Sequence, residues 1–118
     1  MSYRSNYTIT VDNNNEKINE VFEWLNNESS ESGEFSLEEE EIISVDNAWY
    51  EEEEDLGKLS LHFPDTVIEV FREGEDDDDK CYSYYKNGKV QHCPLELTYY
   101  KYDESKLVSL QGNYNTEQ

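Results

Sequence analysis

The chain has 118 residues, 29 acidic and 9 basic, giving a formal charge of -20 and an isoelectric point near 4.1. That length suits one domain with one modest core, and that charge excludes a direct grip on nucleic acid or on an anionic membrane, which needs clustered Lys and Arg. Hydrophobic residues reach only 35 %, but aromatics reach 14 % with ten tyrosines, so large rings must supply much of the core and argue against disorder.

In chain order, Tyr7 to Val11 (YTITV) alternates aromatic and β-branched residues and predicts a first strand. A helix should follow, capped by Asp12 or Asn13, with Glu16 in the capping-box position after Asn13. Its buried stripe is Ile18, Val21, Phe22 and Leu25, with Trp24 covering the edge. Asn26 to Glu34 is polar and glycine-bearing and reads as a loop.

From Phe35 the chain reads FSLEEEEIISVDNAWY. Unbroken alternation would set Phe35, Leu37, Glu39, Glu41, Ile43 and Val45 on one face of a strand, and Ser36, Glu38, Glu40, Ile42 and Ser44 on the other. Two glutamates then fall on the core face, so a bend, bulge or break is expected at Glu38 to Glu41, with the acidic run protruding. A second helix is predicted from Tyr50 to His62, with Leu56, Leu59 and Phe63 buried, Gly57 weakening it and Pro64 ending it.

Thr66 to Glu73 predicts a strand, and Gly74 to Asp79 an acidic turn into a strand from Lys80 to Lys86. Asn87-Gly88 marks a tight hairpin returning through Lys89 to Cys93. With a two-residue loop, Cys81 lies across from Pro94 and Cys93 across from Tyr82, so the thiols face opposite sides. A three-residue loop would instead bring the two cysteines opposite each other. Reduced thiols are the expectation. A further strand is predicted from Leu95 to Tyr102, which closes a single domain over residues 1–102, and residues 103–118 read as a mobile tail. The order β-α-β-α-β-β plus an added C-terminal strand predicts an α+β antiparallel sheet with two helices on one face.

Three acidic blocks stand out between the apolar segments: Glu38, Glu39, Glu40 and Glu41; Glu51, Glu52, Glu53, Glu54 and Asp55; and Glu73, Glu75, Asp76, Asp77, Asp78 and Asp79. A single charge run is ordinarily a solvated face. Three on one small domain raise a second reading, in which carboxylates held about 6.6 Å apart on extended backbone stand in for the phosphates of a nucleic-acid strand. The third block lacks the ligand spacing of a calcium loop. His62 and His92 are the only histidines, and no nucleophile, phosphate-loop or zinc spacing is present. The expectation is no enzyme activity, no cofactor and no dedicated metal. Tyr82, Tyr84, Tyr85, Tyr99, Tyr100 and Tyr102 exceed what one sheet face can bury, so a subset is expected at a partner contact.

Asn47 to Val90 resembles the second half of a ferredoxin-like domain of phage- and plasmid-encoded proteins. The matching features are Ala48-Trp49 before a helix, Leu59-Ser60 with Phe63-Pro64 at its end, Glu73-Gly74-Glu75 in a turn, and Asn87-Gly88 closing a hairpin. The resemblance implies a ferredoxin-like fold and a mobile-element origin. The expected function is inhibition of a host defence protein, a CRISPR effector or restriction enzyme, by occupying its basic nucleic-acid groove. The partner is then a basic nucleic-acid-binding protein, with the chain a monomer or dimer. With no membrane span and no signal-peptide pattern at the N-terminus, the expected location is the host bacterial cytoplasm. The alternatives are an immunity protein neutralising a basic nuclease toxin, and an acidic cation-binding or salt-adapted protein.

Overall fold

The computed structural model describes residues 3–12, 16–96 and 101–110. The elements are β1 (Ser5–Val11), α1 (Ile18–Glu28), β2 (Ser36–Glu38), β3 (Glu41–Asn47), α2 (Glu52–His62), β4 (Ile68–Glu73), β5 (Lys80–Lys86) and β6 (Lys89–Pro94). All six strands form one antiparallel sheet in the order β2-β3-β1-β4-β5-β6. The protein is α+β, with β1 paired on both sides and therefore central.

One sheet face carries the core. Ile9 pairs with Ile42 and Val70, Val11 with Ile68, and Ile68 with Tyr85, so these side chains share that face. They form one buried cluster with Ile18, Val21 and Leu25 of α1 and Leu56 and Leu59 of α2. Both helices therefore cover this face, and the helical stripes are those expected from the periodicity. Phe22, Trp24 and Phe63 are partly buried against the cluster.

The break expected at Glu38 to Glu41 takes the form of a chain reversal: two strands, β2 and β3, are joined by a two-residue turn at Glu39-Glu40, with Glu38 paired to Glu41 and all four glutamates exposed. The turn reverses the chain, so Leu37 now lies opposite Ile42 on the core face. Ile42 and Ser44 are buried and Val45 is 64 % exposed, the reverse of the parity expected for Ile42, Ser44 and Val45. The element order is thus β-α-β-β-α-β-β-β rather than β-α-β-α-β-β with an added C-terminal strand.

Other boundaries shift for local reasons. Asp12 does not cap α1: its carboxylate accepts from the Val67 N–H at 3.1 Å while its own N–H donates to the Val67 carbonyl at 3.2 Å, extending the β1–β4 ladder. Lys17 takes the cap position without a side-chain bond; Asn13 lies outside the described residues. The helix runs on to Glu28, into the predicted loop, and there the Ser29 hydroxyl donates back to the Leu25 carbonyl. α2 starts two residues later than predicted, after Glu51, and β4 begins at Ile68, because the Thr66 N–H is held in a turn by the Phe63 carbonyl.

The β5–β6 hairpin has the two-residue form. Lys86 pairs with Lys89, Cys81 with Pro94 and Tyr82 with Cys93, and both thiols are free. Asn87 and Gly88 both take positive φ, as this turn requires. Of the strand predicted from Leu95 to Tyr102, residues 97–100 lie outside the described residues. Leu95, Glu96, Lys101 and Tyr102 belong to no strand, although the Leu95 N–H adds one bond to the Lys80 carbonyl at 2.8 Å. Within the predicted tail, Glu104–Lys106 forms one 3-10 turn, capped by the Asp103 carboxylate.

Gly57 sits inside α2, and a Cβ added there would meet nothing within 4 Å. Gly57→Ala should therefore raise stability by about 0.5–1 kcal/mol, since it removes only the helical penalty of glycine. Leu59→Ala, in the core, should lower it by about 2–5 kcal/mol. Urea unfolding of the three proteins checks both signs.

Candidate functional site

Strand direction decides where the acidic blocks lie. Ser5, Asn47, Glu73 and Lys80 mark one end of the sheet, and Val11, Ile68 and Tyr85 the other. A seven-residue strand such as β1 spans roughly 20 Å between them. α2 follows the end of β3, and the loop after Glu73 leaves the end of β4, so the second and third blocks share the first end. The Glu38 to Glu41 turn lies at the far end. The structure brings two blocks together and leaves the third apart.

At the turn, Glu38, Glu39, Glu40 and Glu41 are all exposed. Glu38 and Glu41 are direct cross-strand neighbours, a like-charge pairing that is unfavourable in itself. Glu39 has φ 58°, in the left-handed region that disfavours side chains with a Cβ.

The second block divides by function. Asp55 turns inward, 5 % exposed, and its Oδ2 accepts from the Ser30 N–H at 3.1 Å, the Ser30 hydroxyl at 2.5 Å and the Trp49 Nε1–H at 2.8 Å. It therefore belongs to the core and not to a partner surface. Glu52 is half-buried; burial pushes its carboxyl up, against the opposing pull of Arg72 and His92. Glu53 contacts His92 Nε2 at 2.8 Å, and Glu54 pairs with Lys58 at 3.0 Å. Glu51 is exposed.

In the third block, Asp79 takes two bonds from the Arg72 guanidinium, at 3.1 and 2.7 Å, and one from the Tyr3 hydroxyl. The bonds from Arg72 and Tyr3 hold its carboxyl down at about 2. A Cβ at Gly74 would meet the Asp79 carboxylate and the Tyr3 hydroxyl, so a side chain there would have to displace both. Glu75 accepts the Arg4 N–H at 2.7 Å, and Tyr3 Oη accepts the Glu75 N–H at 2.9 Å. Glu73 is half-buried in β4, whereas Asp76, Asp77 and Asp78 are exposed. The loop is therefore ordered by its flanking acids while its three central carboxylates face outward.

Three more acids at this end were not singled out by the blocks. Glu31 is pushed up first by burial and then by the charges of Glu34, Asp55 and Glu51, which places Glu31 and Glu34 beside the start of α2. Asp46 joins the other side: the Arg4 guanidinium donates to its carbonyl at 2.8 Å while the Arg4 N–H holds Glu75. Regular spacing of Glu28, Glu31 and Glu34 from the last residue of the first helix onward was the available signal for the first pair. Asp46 had none.

His92 carries an arrangement that only the hairpin register could reveal. Its Nδ1 bonds Ser83 Oγ at 2.7 Å and its Nε2 faces Glu53. Ser83 is 4 % exposed, so its hydroxyl holds the imidazole in place rather than meeting a substrate. His62, at the end of α2, stacks edge-on against Phe63. Among the described residues no group of three or more His, Cys, Asp or Glu side chains could hold a metal ion. Of the tyrosines, Tyr85 is in the core, whereas Tyr82 is exposed, stacks with Tyr84 and lies tilted against Phe71 on the sheet face opposite the two helices. Tyr102 is exposed, and Tyr99 and Tyr100 lie outside the described residues.

No protein-family model, curated protein or solved structure matches this chain. No described helix is long and apolar enough to cross a membrane.

The shifted carboxyls fix the pH response. Glu31 and Glu52 titrate above their ordinary value in the fold, so the fold gains stability as pH falls through their folded values toward about 4.5. Asp79 titrates at about 2 against an ordinary 3.8, so its contribution is complete above that ordinary value and is lost as pH falls from about 4 toward 2. The melting temperature should therefore peak between about pH 4 and 5 and drop on either side. Asp79→Asn should lower it at neutral pH and flatten the acid limb. Thermal melts from pH 2 to 8 read both.

Proposed function

We propose that this protein is a non-enzymatic inhibitor, encoded by a phage or plasmid and acting in the host bacterial cytoplasm, that blocks the basic nucleic-acid groove of a defence protein such as a CRISPR effector or restriction enzyme. The observation that carries this reading is the fixed acidic end of the sheet. Glu31, Glu34 and Glu51 stand on one side and Glu75 to Asp78 on the other, with the second side tied to the N-terminal segment through Tyr3 and Arg4. A mimic of phosphates needs carboxylates already in position, because ordering them on contact would consume binding energy. Here Arg72 and Tyr3 order the loop in the free protein. The exposed Glu38 to Glu41 turn, about a strand length away, would form a second contact along the same groove.

The fold reading is ferredoxin-like. The elements β1-α1-β2-β3-α2-β4 with strand order β2-β3-β1-β4 support it, with β5 and β6 as a hairpin added beside β4. The resemblance of Asn47 to Val90 implies the same fold.

The test is capture of partners from bacteria that carry CRISPR and restriction systems, followed by competition with DNA at low and high salt. A basic nucleic-acid enzyme should be captured, and DNA and the inhibitor should exclude each other. Replacing Asp76, Asp77 and Asp78 together with Asn should weaken binding about tenfold or more at low salt, with the difference shrinking as salt screens the charges. A saturated partner that still binds DNA normally would remove the mimicry reading, and capture of a single cognate nuclease toxin would replace it with immunity.

A further inference from the structure

The sheet has two outer edges that differ in a way the acidic surfaces do not explain. The β2 edge is three residues long, carries Glu38 and runs into the acidic turn. Short, charged edges of this kind are how sheets avoid pairing with other chains. The β6 edge is six residues long and carries no acid. It lies within the longest stretch of the chain free of Asp and Glu, Lys80 to Leu95. Five of the nine basic residues (Lys80, Lys86, Lys89, Lys101 and Lys106) lie from Lys80 onward, against four of the twenty-nine acids.

The hairpin register fixes which backbone groups point outward. Lys86 pairs with Lys89 around a two-residue turn, and the Leu95 N–H bonds the Lys80 carbonyl, so both pairs are of the hydrogen-bonded kind. The same alternation turns Lys89, Gln91 and Cys93 toward β5. It turns the N–H and C=O of Val90 and His92, with the Pro94 carbonyl, to the outside. Among the described residues no strand pairs with them. Val90 is 38 % and Leu95 45 % exposed beside this edge.

We propose that a second copy of this chain pairs with β6 edge to edge about a two-fold axis, making one continuous antiparallel sheet across both copies. The antiparallel arrangement sets Lys86 and Lys89, at the turn end of one β6, near Glu96, at the exit of the other. This charge complementarity is available at no acidic edge. The nearest acid on the helix side, Glu53, is held by His92. Pairing of six-residue strands is small against the roughly 1,200–2,000 Å² of stable interfaces, so the dimer forms reversibly with concentration. It also strengthens with salt, because screening relieves the repulsion between two chains of charge -20. Binding through the acidic end has the opposite salt dependence, and the dimer does not rest on that reading.

The experiment combines light-scattering mass with amide hydrogen exchange at low and high protein concentration. The mass should rise from 14.0 kDa toward twice that value, and the Val90 and His92 amides should become protected at high concentration only. Val90→Pro removes one outward N–H without touching the β5 ladder; it should keep the far-UV circular dichroism of the parent and remain a monomer throughout. Fast exchange of Val90 and His92 at every concentration overturns the proposal. So does protection that dilution leaves unchanged, which would mean that the chain covers its own edge, and so does a folded Val90→Pro protein that still dimerises.

Discussion

Asp55 is the carboxylate on which the acidic end of this protein depends. It is an acid inside an acidic run, yet it faces the core and accepts three hydrogen bonds, two from Ser30 and one from the Trp49 indole. Those bonds join the turn after α1, the segment before α2 and the first turn of α2 itself. Trp49 in turn packs edge-on against Tyr7 and Phe35, at 5.1 and 5.2 Å between ring centres. A buried carboxylate is tolerable only when its lone pairs are filled in this way. One inward acid thus anchors the backbone that presents Glu34 and Glu51 outward, with Glu31 half-buried beside them.

The third block follows the same division of labour. Asp79 and Glu75 bind the loop to Arg72, Tyr3 and Arg4, and Asp76, Asp77 and Asp78 are left to solvent. Like charge crowded at one end opposes folding: the Glu31 carboxyl is raised by burial and then by Glu34, Asp55 and Glu51, whereas Glu52 is raised by burial against the pull of Arg72 and His92. The fold answers it at the loop with the Arg72 guanidinium on Asp79, and along α2 with the Glu54–Lys58 and Glu53–His92 pairs.

Much of the fold was legible because it rests on local signals. The Ile18, Val21, Leu25 stripe and the Asn87-Gly88 turn each follow from spacing or from a backbone preference that those residues satisfy. A break at Glu38 to Glu41 was legible, because unbroken alternation would put two glutamates on the core face. Its form was not, since glutamate is no turn former and nothing in four identical residues marks a full reversal. Without the reversal, the expected burial of Ile42 and Val45 came out inverted. Asp55 looked like its neighbours because inward orientation depends on Ser30 and Trp49, which reach it only after the helices dock. Likewise, the separation of the Glu38 to Glu41 turn from the other two blocks is a property of strand order. No window of sequence contains it.

The division of charge along the chain gives the molecule a polarity. With the acids gathered in the elements before Lys80 and the β5–β6 hairpin free of them, the protein carries a permanent electric dipole as well as a net charge. In the field of a basic surface such a particle is turned before it touches. A larger share of its collisions then begins with the acidic end leading and the hairpin trailing. Moving charge from one region to the other, at constant total, would leave the long-range attraction intact and lose that alignment.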